Sequence, residues 1–210
     1  MLFDGHKSIK KHDGNTDDSW HPYKCGFCGI AVSGAVVSST SWQSPDHQFG
    51  SVTRSVRWLQ CTNCARGSVA NDGRIDPEAP FGPTLEGLPD DVKSAYQEAR
   101  RCMSVGAHTA AELICRKILM HVAVEKGAKE AETFAAYLTH LESQGFITPP
   151  MKGWVNLIRQ HGNKSTHELA APDKERAEST VMFTAELLRL TYEMEFLAKK
   201  FTPPGDKSAL

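Results

Sequence analysis

The sequence predicts a mainly α chain, a small β zinc ribbon followed by an all-helical bundle of about five helices. Three observations predict it. Two Cys-x-x-Cys pairs, Cys25/Cys28 and Cys61/Cys64, bracket a stretch rich in serine and valine. From Pro89 to Phe201 apolar residues recur at helical spacing. Between these regions lies Asp76-Pro-Glu-Ala-Pro-Phe-Gly-Pro, whose prolines favour neither helix nor sheet. The expected organisation is a flexible arm over 1–19, a zinc ribbon over 20–76, a linker over 77–88, a helical domain over 89–201 and a tail over 202–210.

Each cysteine pair lets two thiolates reach one ion from a tight turn, and two such turns complete a tetrahedral four-thiolate shell. Structural zinc on Cys25, Cys28, Cys61 and Cys64 is therefore expected. Four thiolates leave no open coordination position, so the ion stabilises rather than catalyses. A module of this size buries too little apolar surface to stand without such a staple. Cys102 and Cys115 stand singly in helical patterns, where a thiol behaves as a small hydrophobe. Within the ribbon, Val52, Arg54, Val56, Trp58 and Gln60 share one face under a period of two, and a loop is expected around Ser44-Pro45-Asp46.

In the second part, helices are expected over 89–105, 107–126, 129–144, 151–160 and 172–201. Gly106, Gly127 and Gly145 stand where helices take a left-handed terminal residue, and Pro172 suits a first turn. The last helix carries two apolar stripes. Phe183, Leu187, Leu190, Met194, Leu197 and Phe201 repeat at four-three spacing, the pattern of a packing seam. Val181, Ala185, Leu188 and Tyr192 lie roughly 200° around. Such a helix is either central to the bundle or turns one face to a partner, and a homodimer through one stripe is expected.

Bulk properties exclude several classes. Of 210 residues 40% are apolar and 23% charged, and the net charge of -1 provides no whole-chain attraction for nucleic acid or an anionic membrane. No stretch approaches the ~20 apolar residues of a membrane span. The lysine-bearing, polar start is not a secretion signal, and unpaired cysteines suit a cytoplasmic location. No glycine-rich phosphate loop, serine-nucleophile motif or carboxylate metal cluster is present.

Trp20, Trp42 and Trp58 accompany Arg54, Arg57 and Arg66 in the ribbon. These residues suit a stacking surface for single-stranded nucleic acid, with Arg54, Arg57, Trp58 and Arg66 as contacts. The competing reading is that a small module needs its large aromatics to cover the metal.

The blocks Tyr96-Gln-Glu-Ala-Arg100, Gly106-Ala-His-Thr-Ala-Ala-Glu112, Leu141-Glu-Ser-Gln-Gly145 and Ile158-Arg-Gln-His-Gly-Asn-Lys-Ser-Thr-His167 resemble, in this order, the family called domain of unknown function 4145. The resemblance implies a helical domain of the HEPN kind, many of which are metal-independent ribonucleases in bacterial or phage defence and counter-defence. It implies catalytic roles for Arg159, Asn163 and His167, with two subunits bringing two such sites together. Histidine suits removal of the 2′-hydroxyl proton, and the arginine fork suits a crowded phosphate. Gly162 stands where those nucleases carry arginine, and Arg159 lies one turn earlier. Structural roles compete with catalysis: Asn163 ending a helix, His167 fixing the turn into the last helix, and Arg159 paired with Glu98 or Glu112. The expected function is thus a nucleic-acid-associated protein acting as a ribonuclease, or else a non-catalytic module that binds RNA, another nucleic acid or a protein.

Overall fold

The computed structural model describes residues 19–46, 50–164 and 172–202. The chain divides between Pro80 and Phe81 into two compact units.

The first unit is one antiparallel sheet in simple sequential order: β1 (Trp20–Lys24), β2 (Ala31–Asp46), β3 (Gly50–Gln60), β4 (Gly67–Asn71) and β5 (Arg74–Asp76). It fills the stretch 20–76 expected for the ribbon with five strands, so "mainly α" describes only the second unit. β2 and β3 stay paired from Ala35↔Gln60 out to Asp46↔Gly50, with a register shift between Val36 and Ser38. The loop expected around Ser44-Pro45-Asp46 is strand instead. β1 leaves β2 after Ala35, which makes the rest of β2 an edge, where the missing N–H of Pro45 breaks no ladder. The core lies at the base of the hairpin, where Tyr23, Val36, Leu59 and Ala70 pack around the cysteines with Val32 and Ile75.

The second unit holds α1 (Asp90–Ser104), α2 (His108–Glu125), α3 (Phe134–Ser143), α4 (Lys152–Lys164), α5 (Lys174–Leu188) and α6 (Met194–Phe201). α3 begins five residues later than the spacing predicts, because Thr133 caps it by accepting the Ala136 N–H at 3.2 Å. α4 runs through Gly162 and Asn163 to Lys164. Asn163 therefore does not end that helix, which corrects the capping role weighed for it. The proline-rich segment is packed rather than loose. Arg100 donates to the carbonyls of Phe81 (2.8 Å) and Gly82 (2.9 Å), Tyr96 to that of Pro83 (3.0 Å), and the Glu86 N–H to Glu193 (2.7 Å).

α5 is the central helix. Val181, Phe183, Ala185, Leu187 and Leu188 are all fully buried, so its two stripes both face core. The four-three stripe does not stay inside. Residues Arg189–Glu193 form a π-helical turn before α6. The wider turn accommodates one extra residue and rotates α6 by about 100° relative to α5. Leu190, Met194 and Phe201, in phase with buried Leu187 by sequence, emerge 39%, 53% and 75% exposed. Among the described residues, no helix is long and apolar enough to cross a membrane.

Candidate metal centre

Two loops of the same construction deliver the cysteines. After β1, the Cys25 N–H donates to the Ile30 carbonyl and the Gly29 N–H to the Cys25 carbonyl, at 3.0 and 2.9 Å. After β3, the Cys61 N–H donates to the Arg66 carbonyl and the Ala65 N–H to the Cys61 carbonyl, again at 3.0 and 2.9 Å. Each loop reverses through a left-handed residue after its second cysteine: Gly29 at φ 72 and Ala65 at φ 58. This turn aims backbone N–H groups at sulfur, as with Phe27 N–H to Cys25 Sγ at 3.4 Å. Such donors stabilise thiolate over thiol.

The four Sγ atoms all lie within 4.8 Å of one another, with Cys25–Cys64 at 3.7 Å and Cys28–Cys61 at 3.8 Å. A tetrahedral thiolate shell with bonds near 2.3 Å separates its sulfurs by roughly 3.8 Å. The geometry therefore fits a metal ion. The electrostatics are compatible with one. Burial pushes the Cys25 thiol up to about 12. At Cys28 burial acts in the same direction, but the Ile30 N–H and Asn63 outweigh it and bring the thiol down to about 7. A cation among the sulfurs removes the penalty on charging them all. His21 is not in the cluster, and His47 lies outside the described residues.

The tryptophans do not cover this centre. Core residues Tyr23, Val36, Leu59 and Ala70 point to the metal side of the sheet. Strand register places Trp58 opposite Ser38, Trp42 opposite Arg54 and Trp20 opposite Ala35, on the alternate parity and hence the other face. There Trp20, Trp42 and Trp58 are 61%, 46% and 44% exposed. Val56, Val69, Lys24 and Arg74 share that face. Of the predicted contacts, Arg54 and Trp58 lie here together, and Arg54 also bonds Asp72 at 2.7 Å. Arg57 is on the metal-side parity, opposite Ala70. Arg66 sits over the Phe27 ring at 5.1 Å, beside the metal loops. The alignment of three tryptophans depends on the bulge near Val36, which no periodicity count anticipates.

In the helical unit Arg159 is held against α3. Its guanidinium donates to Glu142 (3.1 Å), Asn156 (3.1 Å) and Thr139 (3.3 Å), so its partner is Glu142 rather than Glu98 or Glu112. The Arg159 hydrogen bond lowers the Glu142 carboxyl, with Lys152 assisting. Glu112 is buried and pairs with Arg176 at 2.7 Å. The Asn163 side chain and all of His167 lie outside the described residues.

Residues 97–203, just over half of the chain, match the family described as Domain of unknown function (DUF4145). The chain belongs to that family. The DUF4145 region starts within α1 and takes in all of α2 to α6, including the Arg159–His167 segment. The sheet with its four cysteines stands before it. Comparison with curated proteins and with solved structures gave no match.

Proposed function

We propose that this DUF4145 chain is a nucleic-acid-binding protein whose zinc-stapled sheet receives single-stranded RNA or DNA on its tryptophan face. One observation carries the reading: all three sheet tryptophans lie on the face away from the metal, each half-exposed or nearly so. Indole rings in water cost stability unless something stacks on them, and bases stack on any flat aromatic. Arg54 beside Trp42, with Lys24 and Arg74 on the same face, would meet phosphates. Zinc is the ion that four thiolates at these separations favour. Labelled 20-nucleotide strands titrated with the protein test the reading. Trp42→Ala and Trp58→Ala should each weaken binding by about 1–3 kcal/mol, roughly tenfold to a hundredfold. Arg57→Ala, on the other face, should change it little. Equal binding by all four proteins would overturn the assignment.

A second reading concerns the helical unit, which we take to be HEPN-like. α4 carries Arg159 and Asn163 four residues, about one turn, apart. With His167 they would form a metal-independent ribonuclease of the defence kind, in which histidine takes the 2′-hydroxyl proton and Arg159 faces the phosphate. Arg159 would have to leave Glu142 to do so. His167→Ala should then abolish RNA cleavage, Arg159→Ala should slow it about a hundredfold or more, and DNA should be untouched. Full cleavage by His167→Ala, or no cleavage by the wild type under any condition, would leave the binding role alone.

A further inference from the structure

The sheet tryptophans stand too far apart to take neighbouring bases. Trp42 lies opposite Arg54, four residues along β3 from Trp58, which sets the two indoles about 14 Å apart at 3.4 Å per residue. Trp20 lies opposite Ala35, and Ala35 opposite Gln60. Trp20 is therefore two residues along and two strands across from Trp58, about 12 Å away. Small side chains fill the intervals. Thr40 and Val56 face each other between Trp42 and Trp58, and Ala35 lies between Trp58 and Trp20. None of the three offers a flat surface on which a base could stack. Bases of a stacked strand follow one another at about 3.4 Å, and a strand drawn out of its stack spans roughly twice that per nucleotide. Each interval between rings thus matches two nucleotides of an extended strand. A stacked strand fits poorly, because every inner base already has both faces covered by its neighbours.

We infer, resting on the tryptophan-face reading above, that the sheet takes an extended run of five nucleotides. Its first, third and fifth bases stack on the three tryptophans, Trp58 in the middle, while the second and fourth turn away over the small residues. Such a strand gives up its own stacking in order to bind. Pyrimidine runs stack weakly on themselves and lose least, whereas adenine runs lose most. The substrate class is therefore a pyrimidine-rich single strand, of RNA or DNA. Duplex is excluded, since its paired bases keep both faces covered. Arg54, directly opposite Trp42, places its charge beside one end of this path, where the backbone phosphates pass.

Quenching of tryptophan emission in the full chain by pentanucleotides tests this. The probes are oligothymidylate and oligouridylate, for the DNA and RNA sources, each intact or with one abasic position. Loss of base one, three or five should weaken binding about tenfold or more, and loss of base two or four less than about threefold. Oligoadenylate of the same length should bind severalfold more weakly than oligothymidylate. Trp58→Ala should weaken the intact pentamer, and loss of base three should then cost nothing further, because one contact can be removed only once. The alternating pattern in either pentamer supports the proposal and identifies the source. Equal effects at all five positions, adenine bound as tightly as thymine, or a full penalty for base three in Trp58→Ala would each overturn it while leaving single-strand binding in place. No quenching by any single strand would remove the binding reading itself, and this proposal with it.

Discussion

Stripping the metal with a strong chelator, or replacing Cys25 by serine, should unfold the sheet and leave the helical unit standing. The sheet's buried side chains beyond its cysteines are few, chiefly Tyr23, Val36, Leu59 and Ala70. Each large one contributes about 1.5–3 kcal/mol, while ordering each residue costs about 1–2 kcal/mol of backbone entropy. Apolar burial alone cannot hold so long a hairpin. A four-thiolate zinc site contributes about 10–16 kcal/mol at neutral pH, larger than the stability of most domains. The helical unit has its own core around Leu119, Leu138, Phe183 and Leu188. The expected result is one zinc per chain by elemental analysis and a change in tryptophan emission on chelation, with helical circular dichroism retained. Acid should act as chelator does. Every thiol must lose a proton to bind metal, so affinity falls as pH falls. Metal-free protein with an intact sheet would refute the account, and loss of the helical signal together with the sheet would show that the two units share their stability.

The second large effect is a contrast between two residues of one sequence stripe. Leu187→Glu should unfold the helical unit. Leu187 is fully buried, truncation alone of such a leucine costs about 2–5 kcal/mol, and an unpaired carboxylate adds several more. The total rivals the whole stability of a domain. Met194→Glu, seven residues on and in phase by a heptad count, should shift stability by about 0.5 kcal/mol or less, because its side chain already stands in water. Thermal melts followed at the helical signal decide the matter. Equal destabilisation would mean that the π-helical turn does not rotate α6 outward.

Much of this architecture was legible because it rests on local chemistry. Two Cys-x-x-Cys pairs can reach one ion only through tight loops, and the metal loops form as that spacing requires. Helical period, together with glycines at helix ends, placed the bundle elements, and misplaced the start of α3 only because a single capping hydroxyl, that of Thr133, outweighed the preceding run. The family resemblance was likewise legible in short blocks, and the family model matches residues 97–203.

What the sequence by itself determined, then, is which residues must meet within one turn or one strand: the thiolate set, the helical periods and the apolar character of the last helix. Only the tertiary structure decided which way surfaces face. A one-residue bulge near Val36 sets the parity that brings Trp42 to the side away from the metal, beside Trp58 and Trp20. A five-residue π-helical turn divides one apolar stripe into a buried and an exposed half. The side chain that holds Arg159 comes from α3, seventeen residues earlier. In each case the deciding event is a single extra residue or a long-range contact. Period counting averages over such events, because one added residue leaves composition unchanged while rotating everything after it to a different face.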